Sequence, residues 1–131
     1  MASISASIGQ EPYKTEIKSA TNHIIADEPL SSGGKDLGFS PDELLASALG
    51  ACTCATLRMY ADRKGWAELT GINVDVSFSR DIQANVSHLK RNIELVGVLS
   101  EEQKTRLLAI ANKCPMHQTL THSIEIETAL V

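Results

Sequence analysis

The chain has 131 residues, 43% of them hydrophobic and 4% aromatic, with a formal net charge of −4 at pH 7. That length suits a core that needs no disulfide or metal staple, so residues 1–131 are expected to form one domain. Scattered Lys and Arg and few stacking platforms argue against a nucleic-acid partner, and three cysteines do not make a disulfide scaffold.

The opening "MASISASIGQ" has no basic or apolar leader pattern, and no unbroken apolar run is long enough to span a bilayer. A cytoplasmic protein with reduced thiols and no membrane partner is expected. Ala2, Ile4, Ala6 and Ile8 alternate with serines. Tyr13, Thr15 and Ile17 alternate with charged residues, and "HIIAD" follows a short "ATN" turn, so three strands are predicted. "DEPLSSGGKDLGF" reads as a glycine-rich loop without the spacing of a phosphate-binding loop. Ser40, Pro41 and Glu43 then form a capping-box signature for a helix that runs to Lys64, with Gly65 just past its end. Its apolar residues, from Leu44 to Met59, cover more than one face, which predicts that protein surrounds its middle and that a second subunit supplies part of the cover.

Ile72, Val74, Val76 and Phe78 alternate with polar residues as a strand, and "RNIELVGV" reads as its partner. Ser100 and Gln103 predict a second capping box, opening a helix whose Leu107, Ile110, Ala111 and Cys114 share a face. Pro115 ends that helix and begins a short turn, and "SIEIETAL" reads as a closing strand. The predicted order is β-β-β-α-β-β-α-β, an α+β fold with mainly antiparallel pairing.

"ALGACTCATLRMYA" raises the chemical question, because Cys52 and Cys54 are two residues apart on one helix and diverge by roughly 200°. They cannot pair with each other or share a tetrahedral ion, and either one with Cys114 and His117 supplies at most three ligands, so no metal site is expected, and no cofactor is expected. Periodicity does not choose between them, and both fit as small buried hydrophobes. Cys114 sits where it can cap the turn beginning at Pro115, and His117, three residues on, is placed to polarise its thiol.

The stretches "SPDELLASALGACTCATLRMYADRKGW" and "ANKCPMHQTL" resemble the OsmC/Ohr superfamily of osmotically inducible and organic hydroperoxide resistance proteins, in its broad OsmC-like redox branch. The resemblance implies an OsmC-like fold and an intertwined homodimer with two long central helices. It also implies a thiol-dependent reduction of organic hydroperoxides, with Cys52 as the peroxidatic residue, Cys114 as its resolving partner, Cys54 as a packing residue and a dithiol as reductant. Asp42 and Glu43 stand where the peroxidases carry a glutamate after the helix-opening proline. No arginine precedes Arg58, whereas those enzymes draw one from the N-terminal strands; Lys14 and Lys18 are the cations there. Two other functions stay in view, and that departure favours the first of them. One is a non-enzymatic small-molecule binder or redox sensor using the dimer-interface pocket, and the other is a Cys/His acyl-transfer enzyme.

Overall fold

The computed structural model describes residues Met1 to Val131 and divides into two compact units, residues 1–45 and 46–131. Its mixed helices and small antiparallel sheets form the α+β fold that the sequence predicts.

In the first unit, β1 (Ser5–Ser7), β2 (Thr15–Lys18) and β3 (His23–Ala26) form an antiparallel sheet in that order. Ile17 stands opposite both Ala6 and Ile24. The paired stretches are shorter than the alternation predicts, most of all in β1. The loop after β3 is organised by Asp27, only 2% exposed, whose carboxylate accepts backbone N–H groups from Tyr13, Glu28, Lys35 and Leu37 at 2.7 to 3.3 Å. Burial pushes the Asp27 carboxyl upward, but the four donors outweigh it and hold it below the ordinary carboxylate value. The glycines make this wrapping possible: a Cβ at Gly34 would strike the Glu28 carbonyl, and one at Gly38 the Ile25 carbonyl.

Helix α1 (Pro41–Lys64) starts and stops where its signals predict. The Ser40 Oγ accepts the Glu43 N–H at 3.2 Å, and Glu43 Oε1 accepts the Ser40 N–H at 2.9 Å, completing the capping box. At the other end Gly65 adopts the left-handed conformation, φ 68°, that relieves the last turn.

The second unit holds most of α1 and everything after it. β4 (Gly71–Asp81) and β5 (Val86–Val96) form an antiparallel hairpin. β5 begins five residues before the predicted start at Arg91. The reason is a tight turn: Asp81 Oδ1 accepts the Ala84 N–H at 3.0 Å and Asn85 takes a positive φ, so pairing resumes at Val86. α2 (Glu101–Ala111) carries the predicted capping box, and α3 (Pro115–Leu120) follows it after Cys114.

Leu49, Thr53, Leu57 and Ala61, spaced by four, form the buried stripe of α1 together with Tyr60. Leu57, Tyr60 and Ala61 pack with Leu69, Leu107 and Ala111, flanked by Ile72, Ile93 and Leu95 of the hairpin. Fully burying a leucine such as Leu57 or Leu107 contributes about 2 to 3 kcal/mol. α1 is long and apolar enough, at a mean hydropathy of 1.3, to cross a membrane by length and composition alone, yet this stripe faces a protein core.

Residues 123–131 form no strand within the chain, and Ile124 and Ile126 are 59% and 84% exposed. A strand exists only through a neighbour's hydrogen bonds, and this segment has no strand partner in its own chain.

The Asp27 loop yields a direct expectation. Gly38→Ala drives a Cβ into the Ile25 carbonyl, a backbone atom that cannot swing away. Stability is expected to fall by about 2 kcal/mol, read as a lower urea midpoint at unchanged slope.

Candidate functional site

The segment between the two helical cysteines is resolved by the residue they flank. Thr53 lies in the buried stripe with no exposed surface, and its Oγ1 is 4.0 Å from the Cys114 sulfur, 61 residues away in sequence. Cys52 and Cys54, one on each side of it, are half-buried, and Cys52 Sγ is 3.9 Å from Thr56 Oγ1. All three thiols are free.

Cys114 is fully buried and caps α3, as its position before Pro115 predicts. Its sulfur accepts the His117 backbone N–H at 3.3 Å. The strongest charge beside it is Arg91, which the sequence reading did not single out. Arg91 reaches in from β5, where it shares the inward row with Leu89, Ile93 and Leu95. Its Nη1 donates to Thr53 Oγ1 at 3.0 Å and lies 4.0 Å from Cys114 Sγ. Its Nη2 donates to Asn112 Oδ1 at 3.0 Å and meets His117 Nδ1 at 3.2 Å.

The hydrogen-bond roles follow from chemistry. A guanidinium only donates, so His117 Nδ1 is the acceptor and the ring proton sits on Nε2. Burial and then the Arg91 charge push the His117 pKa down, which favours the same neutral ring. Thr53 donates its own hydroxyl proton to the Leu49 carbonyl at 2.7 Å, leaving its oxygen lone pairs toward Arg91. The result is a fixed positive charge, held by neutral acceptors, against the sulfur of Cys114.

A cleft of about 680 Å³ opens beside this cluster, lined among others by Leu49, His88, Arg91, Asn112 and His117. A larger one, about 990 Å³, is lined by Tyr60, Trp66 and Arg106, and no cysteine lines either cleft. No group of His, Cys, Asp and Glu side chains is arranged to hold a metal ion. Asp42 and Glu43 lie in the first turn of α1, and the Glu43 carboxylate is engaged in the capping box. The signal for Arg91 was present in the alternation of "LKRNIEL", where an arginine occupies an apolar row. The signal for Thr53 was its spacing of four from both Leu49 and Leu57.

Because His117 is held neutral in the folded chain, its folded pKa lies below the ordinary value of 6.5 that it regains on unfolding. As pH falls through 6.5 the unfolded chain takes up a proton that the folded one refuses, so stability falls with pH until the folded pKa is also passed. Denaturant titrations between about pH 7.5 and pH 5 are expected to show this loss. His117→Asn, which keeps an acceptor for Arg91 but does not titrate, is expected to flatten it.

The fold has well-matched relatives. A protein of Psychrobacter arcticus described as an osmotic stress induced and detoxification response protein superposes with a TM-score of 0.78 at 21% identity, covering 91% of this chain and 88% of its own. An OsmC-like protein of Mycoplasma pneumoniae gives 0.77 at 23% identity over 92% and 87%. The organic hydroperoxide resistance protein OhrB of Bacillus subtilis gives 0.62 at 20% identity over 91% and 89%. Among curated proteins no sequence matches the chain. The sequence profile of OsmC-like proteins matches residues 33–129, a span that takes in α1, the hairpin and the segment bearing Cys114 and His117, and the chain thus belongs to the OsmC-like protein family.

Proposed function

We propose that the protein is a thiol-dependent reductase of organic hydroperoxides. The observation that carries this reading is the contact between Thr53 and Cys114, which brings the segment bearing Cys52 against the one bearing Cys114 within a single compact unit. Its relatives include proteins named for organic hydroperoxide resistance. In the proposed reaction the Cys52 thiolate attacks the terminal oxygen of the hydroperoxide, the O–O bond breaks, and the alkoxide leaves, taking a proton from water to become the alcohol. The resulting sulfenic acid condenses with Cys114, releasing water and forming a disulfide, which a dithiol reduces. Asp42 and Glu43 enter the proposal as the carboxylates of the site, on family resemblance.

A second copy of the chain belongs to the same proposal. Ala51, Ala55 and Met59 lie along the exposed side of α1, Met59 at 64% exposure, and the unpaired Ile124 and Ile126 leave a segment ready to add to another sheet. A homodimer covers both. The absence of an arginine before Arg58 favours an alternative, a non-enzymatic binder or redox sensor.

Consumption of an organic hydroperoxide with a dithiol reductant distinguishes these functions. Cys52→Ser is expected to reduce turnover to the rate of buffer, and Cys54→Ala to leave it within about twofold. In Cys114→Ser, Cys52 is expected to pass from sulfenic to sulfinic acid as peroxide increases, seen by peptide mass spectrometry. A wild type that carries Cys52 beyond sulfenic acid while Cys114 stays a free thiol favours the sensor. Light scattering is expected to show a dimer, with dilution producing unfolding rather than a compact monomer.

A further inference from the structure

The proposed cycle ends with two sulfurs joined in a disulfide, and their surroundings differ. Exchange with an incoming thiolate is decided by which sulfur it can reach and by which sulfur is better placed to leave with the electron pair. Cys114 has no exposed surface, whereas Cys52 is half-buried. Around Cys114 Sγ stand the Arg91 guanidinium at 4.0 Å and the His117 backbone N–H at 3.3 Å. The contact of Cys52 Sγ, by contrast, is the neutral Thr56 hydroxyl at 3.9 Å.

Arg91 is suited to receive negative charge on the neighbouring sulfur. It does not deprotonate, and its hydrogen-bond partners Thr53, Asn112 and His117 are neutral, so its charge is not cancelled by an ion pair. The same partners fix the guanidinium in place, so little reorganisation is needed when a thiolate forms beside it. His117 contributes by staying neutral: a protonated ring would lose its acceptor atom and set a second cation against Arg91.

We infer that reduction of the Cys52–Cys114 disulfide runs in one direction, the reductant attacking Cys52 Sγ while Cys114 departs as a thiolate against Arg91, which acts as the positioning residue for the leaving sulfur. The inference rests on the two-cysteine reading above. In the first step a thiolate of the dithiol forms a bond to Cys52 Sγ, the protein S–S bond breaks, and its electron pair goes to Cys114 Sγ. In the second, the other thiolate of the reductant attacks its own sulfur in the mixed disulfide, releasing the Cys52 thiolate. The protein gains two electrons and the dithiol leaves as a disulfide.

The test begins with wild-type protein oxidised by limiting hydroperoxide and mapped for its disulfide. Brief exposure to 2-mercaptoethanol, quenching with iodoacetamide and peptide mapping are expected to place the mercaptoethanol adduct on Cys52 and the alkyl group on Cys114. With dithiothreitol as reductant, Arg91→Gln is expected to lower the rate constant of reduction about tenfold relative to that of the peroxide step in the same sample. Arg91→Lys, which keeps the charge and loses the fork, is expected to recover part of that loss. An adduct on Cys114, or an unchanged ratio in a folded Arg91→Gln, overturns this assignment while leaving the peroxidase reading intact. If Arg91→Gln does not fold, the wild-type adduct decides. Failure to form any Cys52–Cys114 disulfide overturns the peroxidase reading, and this inference with it.

Discussion

A guanidinium pointing inward from a strand sets the terms for the second unit. Arg91 occupies a half-buried position that the alternation of β5 reserves for apolar side chains, where its guanidinium needs acceptors in place of the water it gives up. It is satisfied from three other places: Thr53 on α1, Asn112 at the end of α2 and His117 on α3. One side chain therefore ties the hairpin to all three helical segments of the unit. Its donors also dictate the chemistry of those acceptors. His117 must stay neutral with its proton on Nε2, and Thr53 must send its hydroxyl proton to the Leu49 carbonyl. The Cys114 sulfur is held at the convergence of these groups.

The parts of the fold governed by local rules were legible in the sequence. Both capping boxes, the bounds of α1, the secure strand from Ile72 and the cap formed by Cys114 depend on residues within a turn or two of each other. What could not be read locally depends on partners distant in sequence. The loop "DEPLSSGGKDLGF" reads only as a glycine-rich loop, yet Asp27 binds it from within by collecting backbone donors that extend back to Tyr13. Arg91 stands at the predicted start of the partner strand, so Leu89, the residue that makes its row recognisable as the inward one, falls outside the predicted element. The predicted closing strand has the alternation of a strand but no edge in its own chain to complete it.

The pair of thiols on α1 shows how helical geometry and burial share the decision. Two residues separated by two positions cannot both face the core, and here neither does so fully, because the stripe spaced by four selects Thr53 between them. Periodicity puts neither cysteine in the core because neither is the stripe residue. Thr53 is suited to the inward position. It fills the space of a small apolar side chain, returns its proton to its own helix, and offers an oxygen to Arg91.

Family resemblance implies an arginine carried by the N-terminal strands, and the cation found beside a thiol here comes instead from β5 and stands by Cys114. The location changes what the charge can do. In the proposed cycle a cation close to Cys52 would favour the first step of peroxide reduction, whereas one close to Cys114 acts when that sulfur carries charge, in exchange. A buried sulfur with a fixed cation and a half-exposed sulfur beside a neutral hydroxyl are thus suited to different tasks. In the proposed cycle the half-buried one meets what arrives, and the buried one is better equipped to leave.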